Sequence, residues 1–316
     1  GMSLQRPGTL GDQTIAFFKY HGCGNDFIVI DAVNTPRLSA LDFASLAPGQ
    51  CNRRTGIGAD QVLVIGEGDS TCEVTLRIFN SDGSQAGMCG NGLRCVARHA
   101  AEVLDLVGNN CRVGIGGRVY EIAINRTAGS GFESATVNMG KPELSPSKIP
   151  VHIGGDRAVR VALPPELDDV RRSQLIEKGF ALEMTCVSMG NPHAVLFGVE
   201  RRPEMPMAVG GDLVMAAGKQ IEHAACFPEG TNVHLVRVVT REHVEMEAWE
   251  RGAGLTHSCG SGACAAVVAG VLCGLTSRDV RVGQLGGALR VVWEESSGDV
   301  MMTGPAARVF QGEMAE

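Results

Sequence analysis

Two cysteines stand in the same local sequence, each immediately before a Gly-x-Gly segment. Cys89 lies in RIFNSDGSQAGMCGNG, residues 77–92, and Cys259 lies in EAWERGAGLTHSCGSG, residues 247–262. The two segments align without a gap, and Cys259 lies 170 positions after Cys89. An apolar run follows each segment, so we predict that each cysteine begins a buried helix. Free backbone N–H groups and the positive end of the helix dipole stabilise a thiolate at such a position.

The same N–H groups favour a bound carboxylate, because a helix start is an anion site and glycine lets a ligand approach the backbone. Each half of the chain therefore offers one thiol beside one anion site. If two such halves close face to face, the thiols meet one small molecule from opposite sides. One thiolate would remove the α-proton of an amino acid while the other thiol protonates the opposite face. This chemistry is that of a two-base racemase or epimerase.

Two features of the sequence bear on cofactors. None of the five lysines lies within either glycine-rich motif, so we expect no pyridoxal bound as a Schiff base. No CxxC pair occurs, and the spacings of Cys89 to Cys95 and of Cys259 to Cys264 differ from those of zinc ligands. We therefore expect neither a metal nor any other cofactor, and a small-molecule amino acid as the substrate.

The composition argues against several other classes of protein. The 316 residues carry a net charge of −7 with no run of Lys or Arg, so we expect no nucleic-acid partner. The longest nearly apolar stretch, Gly262 to Leu275, is shorter than the roughly 20 residues of a membrane-spanning helix, so we expect no membrane partner. Eleven cysteines without a secretory signal indicate reduced thiols, and hence a cytoplasmic protein.

The elements that must position the two cysteines also repeat. Residues 21–30, HGCGNDFIVI, and residues 188–197, SMGNPHAVLF, share Gly-Asn followed by a β-type run. Alternating or β-branched residues predict strands at 71–79 and 243–249, upstream of the two cysteines. Further short strands accompany two predicted helices, the second of which is apolar all round and should be buried on all sides. The sequence thus predicts an α+β fold of two related halves.

Six longer motifs carry a family resemblance: KYHGCGNDFIVID, RRTGIGADQVLVI, RIFNSDGSQAGMCGNGLRC, VSMGNPHAVLF, AWERGAGLTHSCGSGACAA and MTGPAARVFQGE. Together they span Phe17 to Glu313 and resemble the diaminopimelate epimerase family. The resemblance implies two pseudo-symmetric domains, each a curled, mostly antiparallel sheet around a central helix. In the family the last strand returns to the first domain, so we expect domains of residues 15–134 with 305–316, and of residues 135–304.

The resemblance also implies the activity, a pyridoxal-independent two-base epimerase that interconverts LL- and meso-diaminopimelate in the biosynthesis of lysine and cell-wall precursors. By position, Cys89 and Cys259 become the acid/base pair, and His193 and Glu250 assist proton transfer. Two groups of residues are implied in substrate binding: Gly90, Asn91, Gly260 and Ser261 at the α-carboxylate, and Asn25, Asn80, Asn191, Asn232 and Arg251 at the distal amino-acid end. Gln61 would close the site near Asn25, and Glu250 is also implied in substrate binding. An Arg fork suits a carboxylate, and a carboxylate suits an ammonium group.

The sequence departs from the family pattern at three residues and in the length of one stretch. Leu255, four residues before Cys259, stands where the family usually has an acidic residue, so substrate preference or rate could differ there. Tyr20 stands where Met is common and Cys23 where Leu is common, and the stretch from Glu143 to Glu183 is long for the family. None of these departures removes an expected site residue.

Two alternatives remain open from the residues. The first is a cofactor-independent racemase or isomerase of another amino acid on the same fold, although an apolar substrate would not need the distal polar residues together. The second is a noncatalytic amino-acid-binding protein, which would not need two thiols. The sequence does not determine the oligomeric state, for which a homodimer is the assembly we consider.

Overall fold

The structure, a computed structural model, describes residues 14–128, 131–198 and 211–316. Contacts between Cα atoms divide the chain into two compact units. The first unit contains residues 14–22, Asp26–Glu133 and Ala306–Glu316, and the second contains Cys23–Asn25 and Ser134–Pro305.

Strands predominate in both parts of the chain. The N-terminal part forms β1 (Thr14–Gly22), β2 (Asn25–Asp31), a 3-10 helix (Pro36–Ala40), α1 (Phe43–Cys51), β3 (Gln61–Glu67), β4 (Val74–Asn80), β5 (Gln85–Ala86), α2 (Gly90–Glu102), β6 (Asn110–Ile115), β7 (Arg118–Arg126) and β8 (Phe132–Asn138). The remainder forms β9 (Val161–Ala162), α3 (Asp169–Glu177), β10 (Glu183–Ser188), β11 (Pro192–Gly198), α4 (Gly211–Glu222), β12 (Asn232–Thr240), β13 (His243–Glu250), β14 (Gly254–Thr256), α5 (Gly260–Leu272), β15 (Asp279–Gln284), β16 (Gly287–Trp293), β17 (Val300–Gly304) and β18 (Ala307–Ala315).

The first unit is built on a mostly antiparallel set of strands. β1 pairs antiparallel with β18, which brings the end of the chain into the same unit as its beginning. β2 and β3 pair in parallel, β3 and β4 antiparallel, β4 and β6 in parallel, and β6 and β7 antiparallel. The helix α2 packs on β1, β6 and β7 and is buried along most of its length. A hydrophobic cluster of buried side chains, which includes Phe43 and Phe79, packs beneath α1.

The second unit surrounds its central helix more completely. The strands pair in the order β10, β11, β12, β13, β15, β16, β17 and β8, with parallel pairs at β11–β12 and β13–β15 and antiparallel pairs elsewhere. The helix α5 contacts β10, β11, β12, β15, β16 and β17, and residues 262–270 are buried throughout. The small side chains of Ala263, Ala265 and Ala266 let the strands pack close to the helix axis. No helix in the described ranges is both long and apolar enough to cross a membrane.

The strand register repeats between the two units as the sequence repeat does. The equivalent pairs are Val62 with Phe79 and Val233 with Trp249, Phe79 with Gln85 and Trp249 with Leu255, and Val74 with Val113 and Val244 with Val282. Because register decides which side chains share a face, both units place the residues before their cysteine motifs in the same way. The prediction of an α+β fold with related halves is therefore confirmed.

One predicted strand is shorter in the structure than the sequence indicates. The strand expected at 71–79 begins only at Val74. The side chain of Asp69 accepts the backbone N–H groups of Thr71 and Cys72, at 2.7 and 3.2 Å, and so holds those residues in a turn. An Asp side chain can thus take backbone donors that β-type residues would otherwise use in a strand.

The stretch from Glu143 to Glu183 forms an additional layer on the second unit. It contains β9 and α3, and its buried side chains include Ile149, Leu163 and Leu175. These residues pack in one cluster with Val214 of α4 and with strand residues of the unit. The long stretch therefore covers α4 and the outer face of the strands, and its Arg160 donates to the carbonyl of Cys273 at the end of α5, at 2.8 Å.

Candidate active site

Both motif cysteines are N-cap residues of helices, as the sequence predicts. Cys89 precedes α2 with φ −150° and ψ 109°, and Cys259 precedes α5 with φ −131° and ψ 106°. Both backbones are extended, which is the usual conformation of an N-cap residue. The Cys259 sulfur accepts the N–H group of Gly262 at 3.3 Å, whereas the Cys89 side chain makes no cap bond. The helix start thus provides Cys259 with one direct donor to its sulfur.

The environment of Cys259 opposes ionisation more strongly than its N-cap position favours it. Burial raises the pKa of the Cys259 thiol well above its usual value, and the Glu250 carboxylate raises it further. The Gly262 N–H group and the Ser261 hydroxyl act in the opposite direction. A thiolate at a helix start is stabilised as we expected, but removal of water from the sulfur outweighs that stabilisation. Cys259 is therefore a neutral thiol at neutral pH in this structure.

Two side chains from strands hold the start of α5. Glu250 is the last residue of β13, and it accepts a hydrogen bond that favours the protonated Cys259 thiol. Gln284, the last residue of β15, accepts the backbone N–H of Cys259 at 2.7 Å through Oε1. Glu250 is an expected site residue, whereas Gln284 was not predicted from the sequence, where its only signal is its position at the end of a strand.

A hydrogen-bonded chain connects β11 to the start of α5. His193 lies on β11 and is fully buried, and its Nε2 is 2.9 Å from Asn191 Oδ1. Asn191 Nδ2 donates to Ser261 Oγ at 3.4 Å, and Ser261 Oγ lies 3.9 Å from the sulfur of Cys259. The structure therefore brings four expected site residues of the second unit into one network.

A second buried histidine, which the sequence analysis missed, adjoins this network. His234 Nε2 lies 2.8 Å from His193 Nδ1. Burial lowers the pKa of His234 to about 3. Burial also lowers the pKa of His193 well below its usual value, and repulsion of a protonated His193 ring by His234 and Arg251 acts in the same direction. Both rings are therefore neutral. A polar residue inside the apolar run NVHLV was the available signal.

Asn232 bonds to backbone groups on both sides of its strand. It is the first residue of β12, lies opposite His193 in the parallel register, and is 3% exposed. Its Nδ2 donates to the Pro192 carbonyl at 3.0 Å, and its Oδ1 accepts the Arg251 N–H at 2.7 Å. The exposed Arg251 guanidinium donates to the Glu229 carbonyl at 2.8 Å. In this structure Asn232 thus positions the loop that carries Arg251.

In the first unit, Gln61 and Asn80 form a hydrogen-bonded polar pair. They face each other in the register of β3 and β4, and Gln61 Nε2 donates to Asn80 Oδ1 at 2.8 Å. Asn80 Nδ2 donates in turn to Ser84 Oγ at 3.0 Å. The Gln61 Oε1 atom is buried and has no partner among the described residues. This oxygen is an acceptor that a bound donor group would satisfy.

The other expected residues lie at the starts of elements. Gly90 and Asn91 open α2 and are buried, and Gly260 and Ser261 occupy the equivalent positions in α5. Asn25 is the half-buried first residue of β2. Within the described ranges, no group of three or more His, Cys, Asp or Glu side chains could hold a metal ion.

Comparison with known sequences gives consistent similarities over most of the chain. A family model described as diaminopimelate epimerase matches residues 17–145 and 185–309. The diaminopimelate epimerase of Gloeothece citriformis (strain PCC 7424) is 40% identical over 300 residues, which cover 94% of this chain and 98% of that protein. The chloroplastic diaminopimelate epimerase of Oryza sativa subsp. japonica is 39% identical over 307 residues, covering 95% and 80%. The family resemblance of the motifs is thus confirmed.

Solved structures with the same fold come from several epimerases. A hydroxyproline epimerase from Agrobacterium vitis has a TM-score of 0.65 and 12% identity, covering 96% of this chain and 93% of that one. A predicted epimerase from Pseudomonas aeruginosa has a TM-score of 0.60 and 19% identity, covering 95% and 99%. At these identities the similarity concerns the fold alone, and it agrees with the α+β prediction.

Proposed function

Because this chain belongs to the diaminopimelate epimerase family, we propose that it interconverts LL- and meso-diaminopimelate by a two-base mechanism. The chain is an isomerase of the epimerase type. The proposal places its reaction in the biosynthesis of lysine and cell-wall precursors. The proposal adds the stereochemistry of the substrate, the acid/base pair Cys89 and Cys259, and a reaction without cofactor. It also includes the domain division 15–134 with 305–316 and 135–304, a cytoplasmic location, and a small amino acid rather than nucleic acid or membrane as the partner.

The observation that carries the proposal is the repetition of a cysteine N-cap. Cys89 and Cys259 have the same extended backbone before helices whose preceding strands share one register. Most single cysteines in a cytoplasmic protein are buried apolar residues. Two cysteines at equivalent helix starts, each with N–H groups for a carboxylate, support a reaction that needs two thiols.

In the proposed reaction the protons and charges balance between the two cysteines. One thiolate takes the α-proton of the substrate and becomes a thiol, while the other thiol protonates the opposite face of the carbon and becomes a thiolate. The reverse reaction exchanges the two roles. The negative charge that develops on the α-carboxylate is stabilised by N–H groups at the helix starts, at Gly90, Asn91, Gly260 and Ser261.

In this proposal Glu250 supplies a proton acceptor beside the Cys259 thiol, and His193 is connected to the same thiol through Asn191 and Ser261. A neutral Cys259 thiol next to the Glu250 carboxylate can lose its proton to that carboxylate when it must act as base. The same thiol is already protonated when it must act as acid. This arrangement supports Cys259 as a group whose protonation state is set by its immediate neighbours rather than by solvent.

The polar residues support recognition of an amino-acid group at the distal end of the substrate. We assign Asn25, Gln61, Asn80, Asn191, Asn232, Glu250 and Arg251 to this role. Gln61 has the buried unpartnered oxygen that an ammonium group would satisfy, and Arg251 offers a guanidinium to a carboxylate. An apolar amino acid such as proline would leave these groups unpaired, which costs binding energy.

The decisive experiment follows the α-hydrogen. Purified protein is incubated with LL-diaminopimelate in D2O without added cofactor, and both isomers are isolated at early turnover. We expect the inverted α-carbon of the meso product to carry deuterium and the recovered LL isomer to contain little deuterium. Substantial protium at the inverted carbon would contradict the two-base mechanism, and no conversion at all would contradict diaminopimelate as the substrate. Proline and trans-4-hydroxyproline serve as competing substrates in the same assay.

Matched cysteine variants test the assignment of the pair. Cys89→Ala and Cys259→Ala should each lower kcat by at least about a thousandfold, because either direction needs both groups. Cys95→Ala and Cys264→Ala remove buried thiols from the same helices and should retain activity. If the Cys89→Ala or the Cys259→Ala variant is active, the replaced cysteine is not part of the acid/base pair.

A further inference from the structure

The buried pair His193 and His234 has no counterpart in the first unit. The register pair Leu63 with Ile78 corresponds to His234 with Ala248, so Leu63 occupies the position of His234. Leu63 also packs against Gly92 of α2, as His234 packs against Gly262 of α5. The second unit therefore places an imidazole where the first unit has an aliphatic side chain.

His234 is held closely against the start of α5. A methyl group on Gly262 would lie 2.7 Å from His234 Nε2 and 2.9 Å from the Cys259 sulfur. The absence of a side chain at Gly262 thus makes room for the ring beside the thiol. The position of the ring leaves Nε2 directed at His193 Nδ1, at 2.8 Å.

The hydrogen bonds decide which nitrogen of each neutral ring carries its proton. Asn191 donates through Nδ2 to Ser261, so its Oδ1 faces His193 Nε2 and needs a donor there. His193 must then carry its proton on Nε2, which leaves Nδ1 as an acceptor for His234 Nε2–H. The reverse arrangement would set two lone pairs against each other at Asn191 and would leave an N–H on His234 Nδ1, an atom without a partner among the described residues.

The structure assigns His234 as a positioning residue that donates to His193 Nδ1 and so supports the Nε2–H tautomer that Asn191 requires. Each group then donates a hydrogen bond to the next, from His234 to His193, from His193 to Asn191 and from Asn191 to Ser261. The Ser261 hydroxyl, which accepts from Asn191, keeps its own proton for the Cys259 sulfur, 3.9 Å away. This inference rests on the proposed function, because it concerns the protonation of the same thiol. It adds a residue that touches neither the reacting carbon nor the substrate.

Ring nitrogens report the tautomer directly, without any assay of activity. Protein labelled with ¹⁵N-histidine is examined by NMR, and His193→Gln and His234→Gln spectra identify the signals of the two rings among eight histidines. We expect His193 to carry its proton on Nε2 and His234 to carry its proton on Nε2. A proton on His193 Nδ1 in the wild-type protein would overturn the inference, and that result needs no variant to fold.

Two substitutions separate hydrogen bonding from packing. His234→Leu removes the donor and introduces the side chain that Leu63 provides at the equivalent position. His234→Gln keeps an N–H donor at similar reach. We expect the ¹⁵N signal of the unprotonated His193 Nδ1 to move downfield in His234→Leu, where that atom loses its donor, and to stay near its wild-type position in His234→Gln. An unchanged His193 Nδ1 signal in His234→Leu would overturn the inference.

Kinetics extend the same comparison to the reaction. His234→Leu should lower kcat on the order of tenfold, a fraction of what general acid–base catalysis supplies, with little change in KM. His234→Gln should restore most of kcat. Equal losses in both variants would show a role in packing only and would overturn the inference. If the wild-type protein itself does not epimerise diaminopimelate, the proposed function fails, while the NMR result still decides the role of His234.

Discussion

Cys259 shows how two effects compete at one residue. The helix start lowers the pKa of its thiol through the Gly262 N–H group, and burial raises it. Burial prevails because an ion loses far more by leaving water than one N–H donor returns. A neutral buried thiol is a poor nucleophile, and in the proposed mechanism Cys259 becomes a base when a neighbouring carboxylate accepts its proton. The position that appears best suited to a stable thiolate therefore holds a protonated one.

The contribution of Glu250 can be measured by alkylation. Replacing the Glu250 carboxylate in Glu250→Gln removes a charge that disfavours the thiolate, so the pKa of Cys259 should fall. Iodoacetamide should then modify Cys259 faster at pH 8, on the order of tenfold for one unit of pKa. Peptide mapping by mass spectrometry follows Cys259 separately from the other cysteines.

Glu242→Gln is the matched control for this measurement. It makes the same charge change at an exposed residue just before the opposite end of β13, roughly 25 Å from Glu250 along the strand. The alkylation rate of Cys259 should stay at the wild-type value in this variant. A slower rate in Glu250→Gln would contradict the assigned direction of the Glu250 effect.

The helix starts differ in how much space surrounds their third residue. Gly262 of α5 faces the His234 ring and the Cys259 sulfur, whereas Gly92 of α2 faces the two methyl groups of Leu63 at 3.3 Å from a would-be Cβ. A rigid ring beside backbone cannot move aside, but an aliphatic side chain can rotate. Equivalent positions in the repeat thus tolerate change unequally.

The pair of substitutions Gly262→Ala and Gly92→Ala tests this difference between the helices. Gly262→Ala should lower the free energy of unfolding by about 1–3 kcal/mol, the usual cost of overpacking. Gly92→Ala should change it little, since alanine favours a helix by about 1 kcal/mol over glycine and offsets a tight contact. Urea unfolding followed by circular dichroism measures both. Equal losses would contradict the packing seen around His234.

The whole molecule carries two histidines that the fold keeps neutral. Burial holds the pKa of His234 at about 3 and that of His193 well below its usual value. Unfolded histidines bind protons below about pH 6.5, so the unfolded state binds more protons than the folded state as the pH falls. Stability that these residues contribute is present above pH 6.5 and is lost as the pH falls toward 3.

The stability of the second unit should therefore decrease in mild acid. Between pH 6.5 and about 4.5, before most carboxylates titrate, each such histidine should lower the free energy of unfolding by about 1.4 kcal/mol per pH unit. Both tryptophans, Trp249 and Trp293, lie in the second unit, so their fluorescence reports its unfolding. His234→Gln should reduce the slope by about one proton. A wild-type stability independent of pH over this window would contradict neutral, buried rings.

Independence from a cofactor is a proposed property of the whole protein. We expect exhaustive chelation and treatment with hydroxylamine to leave the epimerase activity intact, and iodoacetamide to abolish it. The expectation rests on the two cysteines and on the lack of a lysine in either motif. Activity lost on chelation and regained with a metal ion would reverse it. Heat-treated enzyme and untreated enzyme in the same buffer provide the reference rates.

The sequence alone was sufficient for the repeated strand–turn–helix order and for the N-cap position of both cysteines. These features depend on local causes: glycines after each cysteine permit the turn, and apolar periodicity selects the helix. The return of the last strand to the first unit was predicted from the family resemblance, and the structure pairs β18 with β1. Local exceptions such as the side-chain bonds of Asp69 shortened a predicted strand.

Only the tertiary structure decided the partners of His193 and the protonation of Cys259. His234 is 41 residues from His193 in the chain, and the two rings meet because β11 and β12 pair in parallel in one particular register. Register between distant strands follows from packing of the whole sheet, which no local pattern contains. The pKa of Cys259 depends likewise on how completely strands and helix exclude water from the sulfur. Residue type and spacing determine which groups are present, and packing determines which of them are charged.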